Sequence, residues 1–223
     1  MPQSARAVEK SISRHLKLAY LEYLPPGHPG QDKKWPLILY LHGGGERGSS
    51  LDLVKTHGIP KIVETQDLPF VALSPQCPSN YWWSDFLPLL DDMIQQAVDT
   101  LNVDPDRVYL TGNSMGGYGT WHFAVEYPHR LAAIAPICGS GPWMYNVRER
   151  LSSMVHIPTW AFHGAEDEIV LPIESQVMVR DLQEAGGDAR LTLYPGVGHD
   201  SWTQTYADGA LYDWFLAHKR KVG

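Results

Sequence analysis

Apolar runs that end in glycine or proline recur along the chain, and they constrain its fold more than any other feature. The run WPLILYLHGGG, residues 35–45, is continuously apolar. A continuous run is typical of a strand that is buried on both faces of a parallel sheet. An alternating run at residues 16–26 predicts a further strand. The remaining runs, each of which predicts a strand, are residues 69–76, 107–112, 131–139, 157–164 and 190–196.

Helical patterns separate most of these predicted strands. Residues 86–103 place four apolar side chains on one helical face, and residues 172–187 begin with proline and end with glycine. A third pattern, residues 207–220, predicts a helix near the end of the sequence. Alternating strands and helices predict a mainly parallel central sheet with helices on both faces. Because the 223 residues show no repeat or linker, we expect one α/β domain over residues 1–223.

The segment GNSMG, residues 112–116, follows a predicted strand and precedes a further segment with helical character. In open parallel sheets the chemistry lies at the carboxyl ends of the strands. A Gly-x-Ser-x-Gly sequence in this setting predicts a nucleophile elbow, which is a strained turn that needs small flanking residues. Ser114 is therefore the candidate nucleophile. The alternative is that Ser114 is a small residue in a Gly-rich loop.

A serine hydroxyl needs a base to become nucleophilic, and the base needs an acid to orient it. His199, in the loop after the last predicted strand, is the candidate base. The loop FHGAEDEIV lies between the serine and this histidine and offers Glu166, Asp167 and Glu168. Asp167 is the favoured acid and Glu166 is the alternative. The chain order serine, acid, histidine is that of hydrolases built on such sheets.

The tetrahedral intermediate of acyl transfer carries an oxyanion, which backbone N–H groups stabilise. One donor is expected from Met115, the residue after the serine, and another from the loop after an early strand. The loop LHGGGERG lies at that place. We predict Gly44 as the second donor, with Gly43 and Gly45 as alternatives.

Five segments together resemble the α/β-hydrolases, and above all the dienelactone-hydrolase and phospholipase/carboxylesterase-like group that is often labelled "predicted peptidase". The segments are LHGGGERG, GNSMGGYGTW, APICG, WAFHGAEDEIV and LYPGVGHDSW, and they span nearly the whole chain. The resemblance implies an α/β-hydrolase fold, with Ser114 as nucleophile, Asp167 as acid and His199 as base. It also implies oxyanion donors at Gly44 and Met115. The chain departs from the group's pattern at Gly44, where a small residue such as Ala is expected, and before the serine, where Asn113 replaces an apolar residue.

Aromatic and charged residues in the same loops are candidates for substrate contacts. Trp82 and Trp83 lie on one predicted loop, where they form either a wall of the substrate site or packing beneath the loop. Trp202, close to His199 in sequence, is a further candidate substrate contact. Glu46 and Arg47 follow the oxyanion glycines and either hold a substrate carboxylate or form a local ion pair. Little sequence separates residues 139 and 157, so we expect no large lid domain and an open site.

The composition disfavours several partners. A formal net charge of −7 argues against nucleic acid or an anionic membrane. No segment has the length of a membrane span and the N-terminal residues lack the apolar core of a signal peptide, so we expect no membrane insertion and a cytoplasmic location. Cys77 and Cys138 are expected to be small buried residues, although one bridge also fits the sequence. His42 and His163 are expected to hold loops, and no metal or other cofactor is expected because no set of residues has zinc-like spacing.

These residues predict a serine hydrolase that cleaves small carboxylic esters through a Ser-His-Asp triad and an acyl-enzyme. We expect short-chain or aromatic acyl groups, and feruloyl or acetyl esters of plant polysaccharide belong to that class. One alternative is a serine peptidase for small peptides, although a domain without a lid offers few subsites for an extended chain. The other is a binding module without turnover, which a fluorophosphonate would not label. The sequence does not specify an oligomeric state.

Overall fold

The computed structural model describes residues 5–9, 15–30, 33–139, 141 and 146–220. Within these residues, the strands are β1 (Tyr20–Tyr23), β2 (Trp35–Leu41), β3 (Val71–Pro75), β4 (Val103–Asn113), β5 (Ala133–Ile137), β6 (Thr159–Gly164) and β7 (Ala189–Tyr194). They form one seven-stranded sheet in the order β1-β3-β2-β4-β5-β6-β7. β1 pairs with β3 in the antiparallel sense, and the other neighbouring strands are parallel. The predicted mainly parallel sheet is therefore confirmed.

Both faces of the sheet are buried, and β2 shows how the sequence produces this. Leu37, Leu39 and Leu41 belong to one apolar cluster, whereas Ile38 and Tyr40 belong to the other. All five side chains are fully buried. Because successive side chains of a strand point to opposite faces of the sheet, a continuous apolar run supplies a core on each side.

Helices cover the two faces. They are α1 (Leu51–Val54), α2 (Gly58–Ile62), α3 (Leu87–Thr100), α4 (Met115–Glu126), α5 (Pro172–Glu184), α6 (Trp202–Ala207) and α7 (Gly209–Leu216). α3, α4 and α5 contribute to the cluster that contains Leu37, and α2, α6 and α7 contribute to the cluster that contains Ile38. The prediction of helices on both faces is confirmed.

Some predicted boundaries are wrong. The helix predicted over residues 207–220 is shorter: α7 spans Gly209–Leu216, and α6, which was not predicted, ends just before it at Ala207. Asp208 between them has extended backbone, and its carboxylate accepts the N–H of Ala210 at 2.9 Å. This contact is an N-cap, which ends α6 and starts α7. The helix predicted over residues 86–103 ends at Thr100, because β4 already begins at Val103.

The segment between β5 and β6 is the one for which no large lid domain was expected. It contains the 3-10 helix Arg148–Met154, and residues 140 and 142–145 of this segment lie outside the described residues. None of the helices in the described ranges combines the length and the apolar character needed to cross a bilayer. The loops that follow β2, β4, β6 and β7 all reach the carboxyl edge of the parallel sheet, where the candidate residues lie.

Candidate active site

Ser114 lies at a sharp turn between β4 and α4, with φ 73° and ψ −109°. This backbone conformation is unfavourable for a residue with a side chain and persists only when its surroundings impose it. Two glycines allow the close packing: a Cβ on Gly112 would lie 2.5 Å from the carbonyl oxygen of Leu41, and one on Gly116 would lie 1.8 Å from it. The N–H of Ser114 donates to the carbonyl of Ile137 at 2.9 Å, which fixes the turn to β5. The expected strand, turn and helix are all present.

A chain of two hydrogen bonds joins three of the predicted site residues. Ser114 Oγ lies 2.9 Å from His199 Nε2, and His199 Nδ1 lies 2.7 Å from Asp167 Oδ2. A carboxylate oxygen only accepts, so Nδ1 carries the proton and Nε2 accepts the hydrogen of the serine hydroxyl. This tautomer leaves the imidazole ready to take the hydroxyl proton.

The Asp167 side chain is buried and fully hydrogen-bonded. Its Oδ1 accepts the N–H groups of Ile169 and Val170 at 2.9 and 3.0 Å. Burial acts to raise the pKa of Asp167, but the bond from His199 and then those from the two N–H groups outweigh it, so the pKa lies below its usual value. Asp167 therefore stays ionised at neutral pH, whereas the alternative acid Glu166 is exposed.

A second imidazole contacts the same carboxylate. His163 Nε2 lies 2.8 Å from the carbonyl oxygen of Val170 and 3.1 Å from Asp167 Oδ2, and its Nδ1 lies 2.7 Å from Ser175 Oγ. Because a carbonyl only accepts, Nε2 carries the hydrogen and Nδ1 accepts from the serine. Burial lowers the pKa of His163, which keeps the ring neutral. The expected loop-holding role is present, but no sequence pattern indicated the contact with Asp167.

The loops that carry the acid and the base pack directly on each other. The N–H of Glu166 donates to the carbonyl of Val197 at 2.9 Å. A Cβ on Gly164 would lie 2.0 Å from the carbonyl oxygen of Gly198, so the backbone of β6 and the backbone of the His199 loop are in direct contact. This contact sets the position of His199 relative to the acid.

The two predicted oxyanion donors both begin a helical turn beside Ser114. Met115 is the first residue of α4, and Gly44 is the first residue of the 3-10 helix Gly44–Glu46 that follows β2. N–H groups in the first turn of a helix have no partner within that helix and attract negative charge. The donor roles of Gly44 and Met115 stay predictions that this placement suits.

Asn113, the unexpected polar residue before the serine, links the elbow to its surroundings. The residue is 1 % exposed, and its Oδ1 accepts the hydroxyl hydrogen of Tyr40 at 2.7 Å. A Cβ on Gly43 would lie 2.9 Å from Asn113 Nδ2, so the amide packs against the Gly43 backbone. Asn113 thus contacts the glycine loop and holds it beside the elbow, a role that no local pattern indicated.

His42 and Trp83 support the glycine loop from beneath. His42 Nδ1 donates to the carbonyl of Gly43 at 2.6 Å, and its Nε2 accepts the N–H of Cys77 at 2.9 Å. Burial lowers the pKa of His42 to about 4. Trp83 is 1 % exposed and its indole N–H donates to the carbonyl of His42 at 3.0 Å. Of the two roles considered for Trp83, its burial and this bond favour packing, and a substrate contact stays a prediction.

Trp82 and Arg47 lie together on the surface of the site. Trp82 is 42 % exposed, and the guanidinium of Arg47 lies 5.6 Å from its ring centroid. Arg47 Nε donates to the carbonyl of Gly44 at 3.1 Å. Among the described residues, the Glu46 carboxylate lies 3.9 Å from His42 Nδ1 and 3.7 Å from His57 Nε2, and the expected local pair between Glu46 and Arg47 is not formed.

Trp202 contacts the candidate base, as its position in the sequence suggested. Its ring centroid lies 5.3 Å from that of His199, at an interplanar angle of 87°. On its other side, the ring centroid of Trp202 lies 5.5 Å from that of His57. His57 was missed in the sequence, because it lies in a loop far from the other site residues and belongs to no motif.

Cys138 completes a group of possible metal ligands, but the group suits a metal poorly. Ligand atoms of Cys138, Asp167 and His199 lie within 4.8 Å of one another. Burial raises the pKa of the Cys138 thiol far above its usual range, so the thiol stays protonated. The carboxylate and the imidazole already bond to each other. Both cysteines, Cys77 and Cys138, are free and buried, as expected.

Comparisons with known proteins place the chain among esterase-like proteins. A sequence model of the phospholipase/carboxylesterase family matches residues 69–210. The chain is 24% identical over 187 residues to the carboxylesterase SOBER1 of Arabidopsis thaliana, covering 73% of this chain and 82% of that protein. It is 26% identical over 206 residues to an uncharacterized secreted protein of Arthroderma benhamiae, covering 74% of this chain and only 21% of that protein's length. A thermostable esterase of known structure superposes with a TM-score of 0.79 at 32% identity, covering 92% of this chain and 60% of that chain.

Proposed function

The chain belongs to the phospholipase/carboxylesterase family of α/β-hydrolases, and from this premise we propose that it is a serine esterase that cleaves carboxylic esters. The observation that carries the proposal is the pair of hydrogen bonds, 2.9 and 2.7 Å long, from Ser114 through His199 to Asp167. This arrangement is the one that nucleophilic catalysis by a serine needs, because a neutral imidazole of fixed tautomer faces the hydroxyl.

In the proposed mechanism, His199 Nε2 takes the hydroxyl proton while Ser114 Oγ attacks the ester carbonyl carbon. The negative charge develops on the former carbonyl oxygen, which the N–H groups of Met115 and Gly44 stabilise. The imidazolium then gives its proton to the alcohol oxygen as the ester bond breaks. Asp167, held ionised by four donors, stabilises the imidazolium throughout.

Water completes the cycle. His199 Nε2 takes a proton from a water molecule, which attacks the acyl-enzyme carbonyl, and the second tetrahedral intermediate uses the same two N–H donors. Its collapse returns the proton from the imidazolium to Ser114 Oγ and frees the carboxylic acid. The base is therefore neutral again at the end of each turnover, with the tautomer that its bond to Asp167 dictates.

A small crevice beside the elbow supports a preference for short acyl groups. It has a volume of about 10 Å³, and its lining includes Trp82, Trp83, Met115 and Tyr118. A space of this size holds about one water-sized group. We therefore favour acetyl over longer acyl groups. The 42 % exposed ring of Trp82 is the proposed contact for aromatic acyl groups.

The proposal is tested with p-nitrophenyl acetate and p-nitrophenyl butyrate, on wild-type protein and folded Ser114→Ala side by side. We expect turnover by the wild type, faster for the acetate, and a loss of at least about a thousandfold in the variant. A fluorophosphonate should label the wild type alone. A variant that keeps most of the activity would remove Ser114 from the mechanism. Cleavage of matched amides at a comparable rate would point to a peptidase instead.

A further inference from the structure

The carboxylate of Asp167 contacts two imidazoles, of which only that of His199 exchanges protons in the proposed mechanism. Asp167 Oδ2 lies 2.7 Å from His199 Nδ1 and 3.1 Å from His163 Nε2. Its Oδ1 accepts the N–H groups of Ile169 and Val170. An ionised carboxylate has about four lone-pair sites, two on each oxygen, so each oxygen of Asp167 has the donors that it can take.

His163 is itself held in place from three sides. It belongs to β6 and is fully buried, and its Nε2 lies 2.8 Å from the carbonyl oxygen of Val170. Its Nδ1 lies 2.7 Å from Oγ of Ser175 on α5, and that oxygen lies 3.2 Å from the carbonyl oxygen of Gly139, just after β5. The hydroxyl has one hydrogen, and the shorter distance assigns it to Nδ1. His163 is therefore a fixed group beside the acid.

The hydrogen of the His163 ring lies on the nitrogen that faces the acid. A carbonyl oxygen and a carboxylate oxygen both only accept, so Nε2 carries the hydrogen and shares it between Val170 and Asp167. The neutral ring adds a hydrogen bond without adding a charge. A cation at this position would instead offset the negative charge with which Asp167 stabilises the imidazolium of His199.

The contact of His163 with Oδ2 restrains the part of the carboxylate that the backbone bonds do not. The N–H groups of Ile169 and Val170 hold Oδ1, and these two bonds by themselves do not determine where Oδ2 lies. A fixed donor on Oδ2 restrains it at the place where His199 Nδ1 meets it. Since a misplacement of about 1 Å costs an enzyme roughly a hundredfold in rate, a small rotation of the acid affects the base.

We propose that His163 is a positioning residue of the catalytic centre: its Nε2–H holds Asp167 Oδ2 in the place from which the carboxylate orients His199. This inference rests on the proposed function and adds a residue that supports the acid. Because His163 is fully buried, it acts through Asp167 and not on the substrate. A purely structural histidine would support the loop through Val170 and Ser175 alone, with no consequence for the acid.

Two substitutions separate these roles. Gln places an amide N–H near the position of the imidazole Nε2–H, whereas Met has no donor, and both remove the Nδ1 that accepts from Ser175. With p-nitrophenyl acetate, we expect His163→Met to lower kcat by about tenfold to a hundredfold and His163→Gln to stay within about fivefold of the wild type. KM should change by less than about threefold in both, because the acid acts on the base and not on substrate binding. Equal losses of kcat in the two variants would assign His163 to packing and overturn the proposal.

A double-mutant cycle with Asp167→Asn tests whether His163 acts through the acid. We expect His163→Met to lower kcat by less than about threefold in the Asp167→Asn protein, because the carboxylate through which His163 acts is already replaced. A loss as large as that in the wild-type background would show that the two substitutions act independently, and the proposal would be wrong.

A measurement on the wild type covers the case in which the His163→Met protein does not fold. In isotope-labelled protein, NMR distinguishes ring nitrogens that carry a hydrogen from those that do not, and comparison with His163→Gln assigns the signals. We expect a hydrogen on Nε2 of His163 and none on Nδ1. A hydrogen on Nδ1 alone would leave Asp167 without this donor and would overturn the proposal. The result does not depend on turnover, so it is distinct from a failure of the esterase proposal, in which the wild type cleaves no ester and the reaction that His163 serves is absent.

Discussion

His199 has two flanks, and they differ in how completely their polar atoms are paired. On one flank, Ser114 and Asp167 bond to the imidazole, and the acid accepts three further N–H groups. On the other flank, Trp202 and His57 contact each other through their rings and carry unpaired buried nitrogens. A fully paired network has one favourable geometry, which suits chemistry, whereas unpaired groups favour whatever ligand pairs them. The comparison therefore separates a flank that hydrogen bonds fix in place from a flank that ring contacts hold.

The largest expected effect is the loss of activity when the acid of the hydrogen-bonded flank, Asp167, is replaced. Asp167→Asn offers His199 Nδ1 an amide that either donates to it or holds the ring in the wrong tautomer. We expect kcat for p-nitrophenyl acetate to fall about ten-thousandfold, as in other serine hydrolase triads. Glu166→Gln is the matched control, because it changes the neighbouring exposed carboxylate, and should retain activity within about threefold. A loss of less than tenfold for Asp167→Asn would mean that another group orients the base.

The next effect concerns the packing that holds the paired flank in place. Gly116→Ala puts a methyl group 1.8 Å from the carbonyl oxygen of Leu41, so β2 and α4 must separate. We expect the free energy of unfolding to fall by about 3 kcal/mol or more, as for severe overpacking. Gly209→Ala is the control, since no atom lies within 4 Å of its Cβ, and should change stability by less than about 1 kcal/mol. Equal urea midpoints for the two variants would contradict the tight packing of the elbow.

The smallest expected effect is a dependence of stability on pH that comes from His42. Both ring nitrogens of His42 are hydrogen-bonded, and its Nδ1 also lies 3.9 Å from Glu46 Oε2. Burial lowers the pKa of His42 from 6.5 to about 4 in the folded protein. Below pH 6.5 the unfolded chain therefore takes up a proton that the folded protein refuses, and stability is lost as the pH falls towards 4. At 1.36 kcal/mol per pH unit, the loss approaches about 3 kcal/mol.

The measurement is urea unfolding of wild type and His42→Gln at pH 7.5 and pH 4.5. Titration of all other groups is common to the two proteins, so the difference between their pH responses reports His42 alone. We expect the wild type to lose about 2–3 kcal/mol more than the variant between the two pH values. Identical responses would show that His42 protonates freely in the folded state.

The α/β-hydrolase fold was predictable because its signals are local. Buried parallel strands read as apolar runs, and the glycines around Ser114 mark a turn that few other sequences permit. The chain order of the three triad candidates follows from the same fold, so Asp167 and His199 were predicted to meet across a separation of 32 residues.

The contact between His57 and Trp202 was not predictable in the same way. His57 and Trp202 meet through the packing of α2 against α6, two short helices that no periodic pattern revealed. Trp83 is a second example. Its position on a site loop suggested a substrate contact, but its indole N–H donates to the carbonyl of His42. Contacts between side chains that are distant in sequence depend on the tertiary structure, and motifs do not contain them.

The hydrogen bond between the Glu166 and Val197 backbones has a consequence for how the three candidate catalytic side chains are held together. One backbone hydrogen bond joins the acid loop to the base loop, and another joins the serine turn to β5. Since a misplacement of about 1 Å costs an enzyme roughly a hundredfold in rate, a substitution that shifts either loop is expected to lower activity with all three side chains still present.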